Sequence, residues 1–406
     1  MEMYKYQYSV RNIVMTLDDN YNFADGSVTY FYIQHDYTNR RLPIIRMNIE
    51  MEMMMIKKLY ENIDEAKLKM DLYEQQLNEN DEVIGTSLYW QHTFKIIPAR
   101  DQTMYITSDD ITTEKAVDQM RNLQLVELYL IDMDAVKWFT QKITTVFADC
   151  SRAAALHAVM QMRGIPAGIA IVTPPVNNEM VDYMVIPMGD LIGNIDAINE
   201  GYGMYTTYPI IYYDLLNFYC VDKIKPNIVM PMAKEYGNIV LMMKNMTLPD
   251  HQVTGSYDDA VNKTHYINMN IVPKIHDYTK EVGSTKFSTV TSVDSKGTVN
   301  KTTVNEDATA LHYVYAYSNQ TVDQIINETM YGPVVDVAAQ NCSVAFIKPY
   351  KLVTFEMDTQ YYNLGLDRGN VFRILDWSLS MTREGSIGNC KYIHDVHMTL
   401  QQTTMK

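Results

Sequence analysis

The sequence predicts an α+β fold, rich in β-structure, with most of its helices in the middle of the chain. Three observations predict it. Apolar residues alternate with period two in the first hundred residues and again in the last part. Helical spacing with capping residues is concentrated between them. Hydrophobic side chains make up 47% of 406 residues, enough to fill real cores and to exclude disorder along the whole chain.

Val28 to Tyr37 is β-branched and aromatic, and reads as a strand. Ile45, Met47, Ile49 and Met51 alternate with Arg46, Asn48 and Glu50, which predicts a second. A short helix follows near Glu52 to Ile63. In Lys67 to Tyr73, Glu and Lys favour a helix but Leu68, Met70 and Leu72 alternate strictly, and alternation predicts a strand. Gln75 to Glu82 reads as a turn or loop, and Ser87 to Ile97 as a strand closing at Pro98. Four to six strands and one short helix make a small barrel or half-barrel.

The character changes near Arg100 to Thr113. Leu123 to Met133 reads as a strand. Asp134 is placed to cap a helix to about Phe147, with Phe139 and Ile143 on one face. A second helix starts at Asp149 or Ser151 and stops at Gly164. Gly168 to Val172 and Met180 to Met188 are strands around a Pro174-Pro175 loop. Asp190 caps a helix carrying Leu191, Ile195 and Ile198, stopped by Gly201 and Gly203. Pro209 to Tyr213 and Phe218 to Val221 complete an α/β part.

The remainder is mostly β. Strands are predicted over Asn238 to Lys244 and over His265 to Ile271, where His265, Ile267, Met269 and Ile271 share a face. Lys286 to Val293 and Thr298 to Val304 flank an Asp294-Ser295-Lys296-Gly297 hairpin turn. Thr321 to Met330 reads as a helix. Strands return at Ser343 to Ile347, Leu352 to Met357, Asn370 to Met381 and Lys391 to Leu400. The resulting division is residues 1–105, an N-terminal barrel-like domain; 106–225, an α/β middle domain; and 226–406, a β-rich part with an inserted hairpin and helix at about 280–335.

Forty-nine acidic against 34 basic side chains leave a formal charge of −15. That argues against a surface built to grip phosphates, which needs clustered Lys and Arg. Solubility explains the charge, and an acidic surface also suits a conduit past which a polyanion slides. The cysteines, at 150, 220, 342 and 390, form no CxxC pair. Residues 1–19 hold no apolar run of a secretory signal, and no stretch predicts a membrane span. The 29 Met and 31 Tyr suit adaptable protein–protein contact.

No phosphate-binding loop, GxGxxG, HExxH or GxSxG occurs, so the commonest signatures of nucleotide, dinucleotide, metalloprotease and hydrolase chemistry are missing. His394 and His397 sit on opposite faces if their segment is a strand, and then cannot share a metal; they read as surface histidines. Cys150 and His157 are about 10 Å apart along a helix, too far for a nucleophile pair, so Cys150 reads as a structural thiol. Tyr202, Tyr205, Tyr208, Tyr212, Tyr213, Phe218 and Tyr219 could stack bases but lack interleaved cations, and read as core or interface. The sequence therefore nominates no catalytic, cofactor-binding or metal-ligating residue and no cofactor.

Val185-Ile186-Pro187-Met188 leads the helix after Asp190. Gly201-Tyr202-Gly203-Met204-Tyr205 and Ile210-Ile211-Tyr212-Tyr213-Asp214 follow, and later Lys351 to Met357 precedes Gly369-Asn370-Val371-Phe372-Arg373-Ile374. In this order the chain resembles baseplate hub proteins of contractile-tailed phages and phage-derived injection systems, most clearly over 120–225 and 340–402. The resemblance implies two small tudor-like β-barrels flanking and packed with the α/β part. It implies a homotrimeric ring that joins a sixfold tail tube to a threefold central spike. Its partners would be the tail tube or tube-initiator protein, the central spike and the baseplate wedges, with DNA passing through without specific binding. The expected location is the virion tail baseplate. Other readings are a tube-end or wedge adaptor, and a tail-associated cell-wall hydrolase.

Overall fold

A computed structural model gives the fold of residues 4–78, 80–98, 123–175, 177–205, 209–222, 238–243, 255–269, 274–276, 289–293, 299–303, 311–315, 334–357, 366 and 369–403. The N-terminal strands are β1 (Lys5–Thr16), β2 (Asn20–Asn22), β3 (Val28–Asp36) and β4 (Ile44–Glu52). Helix α1 (Met53–Glu61) precedes β5 (Lys67–Leu77), β6 (Val83–Pro98) and β7 (Leu123–Asp132). Ile45, Met47, Ile49 and Met51 are buried, as are Leu68, Met70 and Leu72. Alternation therefore outweighs helix propensity in β5, because the strand gains a buried face that a helix here would lose. The predicted loop at 75–82 is shorter than expected. Gln75 and Gln76 stay in register with Thr86 and Gly85, so the ladder outgrows the core and polar residues continue it. Asn78 closes the turn, its Oδ1 accepting from the amides of Asn80 and Glu82 at 2.9 and 3.0 Å.

The middle part holds α2 (Met133–Thr140), β8 (Ile143–Ser151), α3 (Arg152–Met162), β9 (Ala170–Val172), β10 (Met180–Gly189), α4 (Leu191–Tyr202), β11 (Ile210–Tyr213) and β12 (Phe218–Val221). Two expectations fail here. The first helix is capped by Asp132, whose Oδ1 accepts from Ala135 N at 2.9 Å, not by Asp134. That helix ends at Thr140, and residues 143–151 are a strand. Their run of Ile, Thr, Thr, Val and Phe is stiff at χ1 and gains a partner in β10. The strand expected from Gly168 is shortened by a 3-10 turn over Ala167–Ile169. The capping residues of α3 and α4 are as read: Ser151 accepts from Ala154 N, Asp190 from Gly193 N, and Gly203 ends α4 at φ +67°.

The last part contributes β13 (Asn238–Met243), β14 (Gly255–Asp259), β15 (Thr264–Asn268), β16 (Lys274–His276), β17 (Thr289–Val293), β18 (Val299–Thr303), β19 (Leu311–Tyr315), β20 (Val334–Gln340), β21 (Leu352–Met357), β22 (Val371–Ser386) and β23 (Asn389–Thr403). β17 and β18 pair as the hairpin reading requires; its turn at 294–297, the helix at 321–330 and the change of character at 100–113 lie outside the described residues. Ser343 to Ile347 is not a strand but a loop with one turn, closed by Ile347 N donating to Val344 O at 3.1 Å. Its apolar side chains Val344 and Ile347 are buried, yet Val344 N donates to the Tyr8 hydroxyl instead of a ladder.

Fifteen strands form one sheet, with β22 at its centre, paired to β3, β21 and β23. Two circuits leave β22. One runs β3, β4, β7, β6, β5, β1, and β1 returns beside β23, where Gln7 Nε2 donates to Tyr392 O at 2.9 Å. The other runs through β21, β13 and β15, and through β23 and β20, joined by the isolated bridge Met269↔Ala339. Among the described residues neither circuit closes by a continuous ladder. The fold is β-rich α+β, as expected. One buried core runs through all three parts, from Phe31 through Leu156 to Phe372.

Candidate interaction surface

β8 and β10 make an antiparallel ribbon of two strands, with Tyr183 opposite Ala148 and Val185 opposite Val146. Strand geometry sends alternate side chains to opposite faces. Met184 and Ile186 point inward and are fully buried, whereas Tyr183, Val185 and Val146 are 71, 57 and 61% exposed. Met180 and Met188 add exposed thioethers near the two ends of β10. A ribbon that shows apolar side chains to water in this way is the candidate interaction surface of the described residues. Tyr and Met are suited to it, being large, adaptable and cheap to order.

The ribbon is held rigid from behind. Arg163, at the end of α3, is 1% exposed. Its guanidinium donates to Gly189 O at 3.1 Å and to Asn194 Oδ1 at 2.5 Å. Asn194 Nδ2 donates on to Pro187 O at 2.8 Å, and the Tyr202 hydroxyl accepts from Val185 N at 2.7 Å. Two helices thus fix one strand through backbone carbonyls and an amide.

A buried polar junction fixes this part to the rest of the chain. In the turn between β11 and β12, Leu215 sits at φ +75°, a strained conformation for a non-glycine. Asp214 Oδ1 holds it by accepting from the amides of Leu216 and Asn217, at 2.9 and 2.6 Å. Oδ2 accepts from the Tyr219 hydroxyl and from Lys348 Nζ, both at 2.8 Å. Burial pushes the Asp214 carboxyl up, but the Lys348 charge and these hydrogen bonds outweigh it and hold it below the ordinary range. Beside it His35 stacks on Trp377 with centroids 4.3 Å apart, and its Nδ1 lies 3.3 Å from the Tyr212 hydroxyl. Burial drives His35 down to about 3, so it stays neutral.

The residues weighed from sequence fall as follows. Tyr205, Tyr212, Tyr213, Phe218 and Tyr219 are buried core; Tyr202 is half-buried; Tyr208 lies outside the described residues. His394 and His397 do lie on opposite faces of β23, but His394 is buried, edge-on to the Tyr8 ring, and is not a surface residue. Cys150 lies on β8 and not on the helix of His157. Burial raises the Cys220 and Cys342 thiols to about 12, which disqualifies both as thiolate nucleophiles at neutral pH. Among the described residues no group of three or more His, Cys, Asp or Glu is placed to hold a metal, and no helix is long and apolar enough to cross a membrane. Sequence reasoning missed the ribbon's outer face. Its signal was present in Val146, Tyr183 and Val185, once β8 is read as a strand.

A family model described as the bacteriophage PBS1 gene 109 protein matches residues 1–279. No curated protein sequence matches the chain. Among solved structures, it is similar to the tail protein from Neisseria meningitidis MC58, at 10% identity and a TM-score of 0.47, over 98% of this chain and 96% of that one. It is similar to the lidded Francisella PdpA–VgrG complex, at 9% identity and a TM-score of 0.48, over 98% of this chain but 53% of that one. An Escherichia coli component of the type VI secretion system gives 8% identity and a TM-score of 0.39, over 98% of this chain and 77% of that one. The family match covers well over half of the sequence, and the chain belongs to the bacteriophage PBS1 gene 109 protein family.

Proposed function

We propose that the chain is a structural subunit of a phage tail, and within it the baseplate hub: a homotrimeric ring between the sixfold tail tube and the threefold central spike. The observation that carries this reading is the pair of sheet circuits sharing β22 and β23. In this reading each circuit is one tudor-like barrel, the 1–105 part joined by β7, β22 and β23 making the first and the 226–406 part the second, with the rest of 106–225 as the α/β element between them. Three copies of a chain with two similar β units offer six similar contacts, which is what a three-to-six adaptor requires. The phage family supports the setting. In this reading the chain performs no catalysis. Its partners are the tube or tube-initiator protein, the spike and the wedge proteins, and DNA crosses an acidic ring without specific contact.

Imaging of the assembled tail, with copies of this chain counted, is the test. Three copies at the baseplate end of the tube are expected. Six copies would replace the hub with a tube-end or wedge adaptor. Zymography on peptidoglycan tests the absence of catalysis, and lysis lost on changing one carboxylate would overturn it.

A further inference from the structure

The chain carries a charge of −15, yet one face of its sheet is basic. Lys67 and Lys69 project from the outer face of β5, while Leu68 and Met70 are buried on the inner one. Lys67 stands directly opposite Lys95 of β6 in the ladder, and all three lysines are exposed. Like charges facing across a ladder oppose folding. Among the described residues no carboxylate pairs with any of the three, although Lys5, Arg46, Lys57, Lys58 and Arg383 each have one. A local rule is broken here with no compensating contact in the fold, as happens at functional surfaces.

The basic track continues along β5. Asp71 is 2% exposed, its carboxylate accepting from Asn12 Nδ2 at 2.7 Å and from Gln91 Nε2 at 2.8 Å, so it lies beneath the surface. Arg11, opposite Asp71 on β1, lies over the Tyr73 ring with its guanidinium 5.4 Å from the centroid. Beside Arg11 the surface opens into a cleft of about 390 Å³ between β1 and the tip of the β22–β23 hairpin, lined also by Gln7, Gln75, Lys391, Asp25 and Asp81. Asp81 is taken up by Lys5 at 2.8 Å. At its other end the track stops at Asp64 and Glu65, exposed in the turn before β5.

Spacing and length name the occupant. Lys67 and Lys69 are one strand repeat apart, about 7 Å, and Lys67 to Asp71, beside Arg11, spans about 13 Å. An extended polypeptide with acidic side chains at alternate positions has the same repeat of about 7 Å. Nucleic acid fits less well. Arg11 covers Tyr73, so this ring is closed to a stacking base. Asp64 and Glu65 repel a phosphate backbone running on past Lys67, and the charge of the whole chain repels a long polyanion. We infer that the outer face of β5 and β6, from Lys95 and Lys67 to Arg11 and the cleft beside it, binds a short extended acidic segment of another protein. That the other protein belongs to the tail rests on the reading above; the acidic chemistry rests on the track itself.

The probe is a labelled peptide of alternating Glu and Thr, read by fluorescence anisotropy against the full chain at low salt, with single-stranded oligothymidine of equal charge as the comparison. The peptide is expected to bind, roughly tenfold more weakly to Lys67→Glu and to Lys69→Glu, and as before to Lys142→Glu, whose lysine is exposed between α2 and β8. Lys67→Glu also gives Lys95 an opposite charge across the ladder, so its melting temperature should hold or rise, which separates lost binding from lost folding. No binding of the peptide, binding that the two reversals leave unchanged, tighter binding of oligothymidine, or a lower melting temperature in Lys67→Glu overturns the inference. In assembled tails, carbodiimide is expected to link Lys67, Lys69 or Lys95 to a carboxylate of a different protein, and links confined to this chain overturn it as well. Absence of the chain from tails overturns the tail reading and leaves the peptide result standing.

Discussion

Replacing Lys348 with Met strands Asp214 in the core. Both side chains are nearly inaccessible, 5 and 3% exposed, with Nζ 2.8 Å from Oδ2. At an effective dielectric constant of 20 their attraction is about 6 kcal/mol, largely offset by the cost of drying both ions. Removing one partner keeps the second cost without the attraction, which typically costs about 3–5 kcal/mol. Asp214 keeps its bonds from Leu216 N, Asn217 N and the Tyr219 hydroxyl, so the lower end, about 3 kcal/mol, is expected at pH 7. The pH dependence gives the reasoning its sharpest check. In the unaltered chain the Asp214 carboxyl is held below its ordinary value. Its contribution is present above that ordinary value and is lost as pH falls through the folded one. In Lys348→Met burial acts without the ammonium, and the folded value rises above the unfolded one. The variant then regains stability as pH falls, and the gap between the two proteins narrows from pH 7 toward pH 4. Urea unfolding followed by tryptophan fluorescence at several pH values measures this. The pair Asp214→Asn with Lys348→Met is expected to recover more than half of the loss. A gap that does not change with pH, or a double variant as weak as the single one, would refute the account.

Other predictions follow from single contacts. Gly255 lies at φ +139°, where an added Cβ would sit 2.3 Å from Tyr4 O; Gly255→Ala should cost about 2–3 kcal/mol in urea unfolding. Gly168→Ala, which meets nothing within 4 Å, should stay within about 0.5 kcal/mol as the control. Burial holds His35 near 3 and His394 near 4. Both favour folding fully above their ordinary value of 6.5, and that favour fades as pH drops toward 4, by up to about 1.4 kcal/mol per pH unit each. His35→Phe should flatten the slope of stability between pH 6.5 and 4.5. Burial raises Asp376 to about 6, with Asp36 and Asp336 adding to it. Asp376→Asn should therefore stabilise the chain at pH 8, by about 1–2 kcal/mol once screening of this partly exposed group is allowed for, and the gain should vanish below pH 4.

The sequence made most of the sheet legible, because buried faces impose period two. β3, β4 and β5 and the closing strands β21 to β23 carry that mark in Ile45, Met47, Leu68, Met70, Val353 and Phe355. Helices α3 and α4 were legible through their caps, Ser151, Asp190 and Gly203. What failed had local signals pointing the wrong way. Asp134 looks as good a cap as Asp132, and only the β6 partner of Asp132 decides between them: His92 Nδ1 lies 2.7 Å from its carboxylate. Val344 and Ile347 look like strand residues, but their order comes from Tyr8, Ser256 and Glu74, far away in the chain. The Asp214–Lys348 junction joins residues 134 apart, and no pattern in either neighbourhood announces it. The ribbon's face was hidden by one error, since reading 143–147 as helix turns Val146 away from Val185.

The hairpin of β22 and β23, strands of 16 and 15 residues, is a wall common to both circuits. Its mechanical meaning is that the joint between the two β units is a ladder and not a hinge. A push delivered to one unit along the strands loads that ladder in shear, where many backbone hydrogen bonds resist together. Force would pass from one unit to the other with little give, and the two would move as one stiff body.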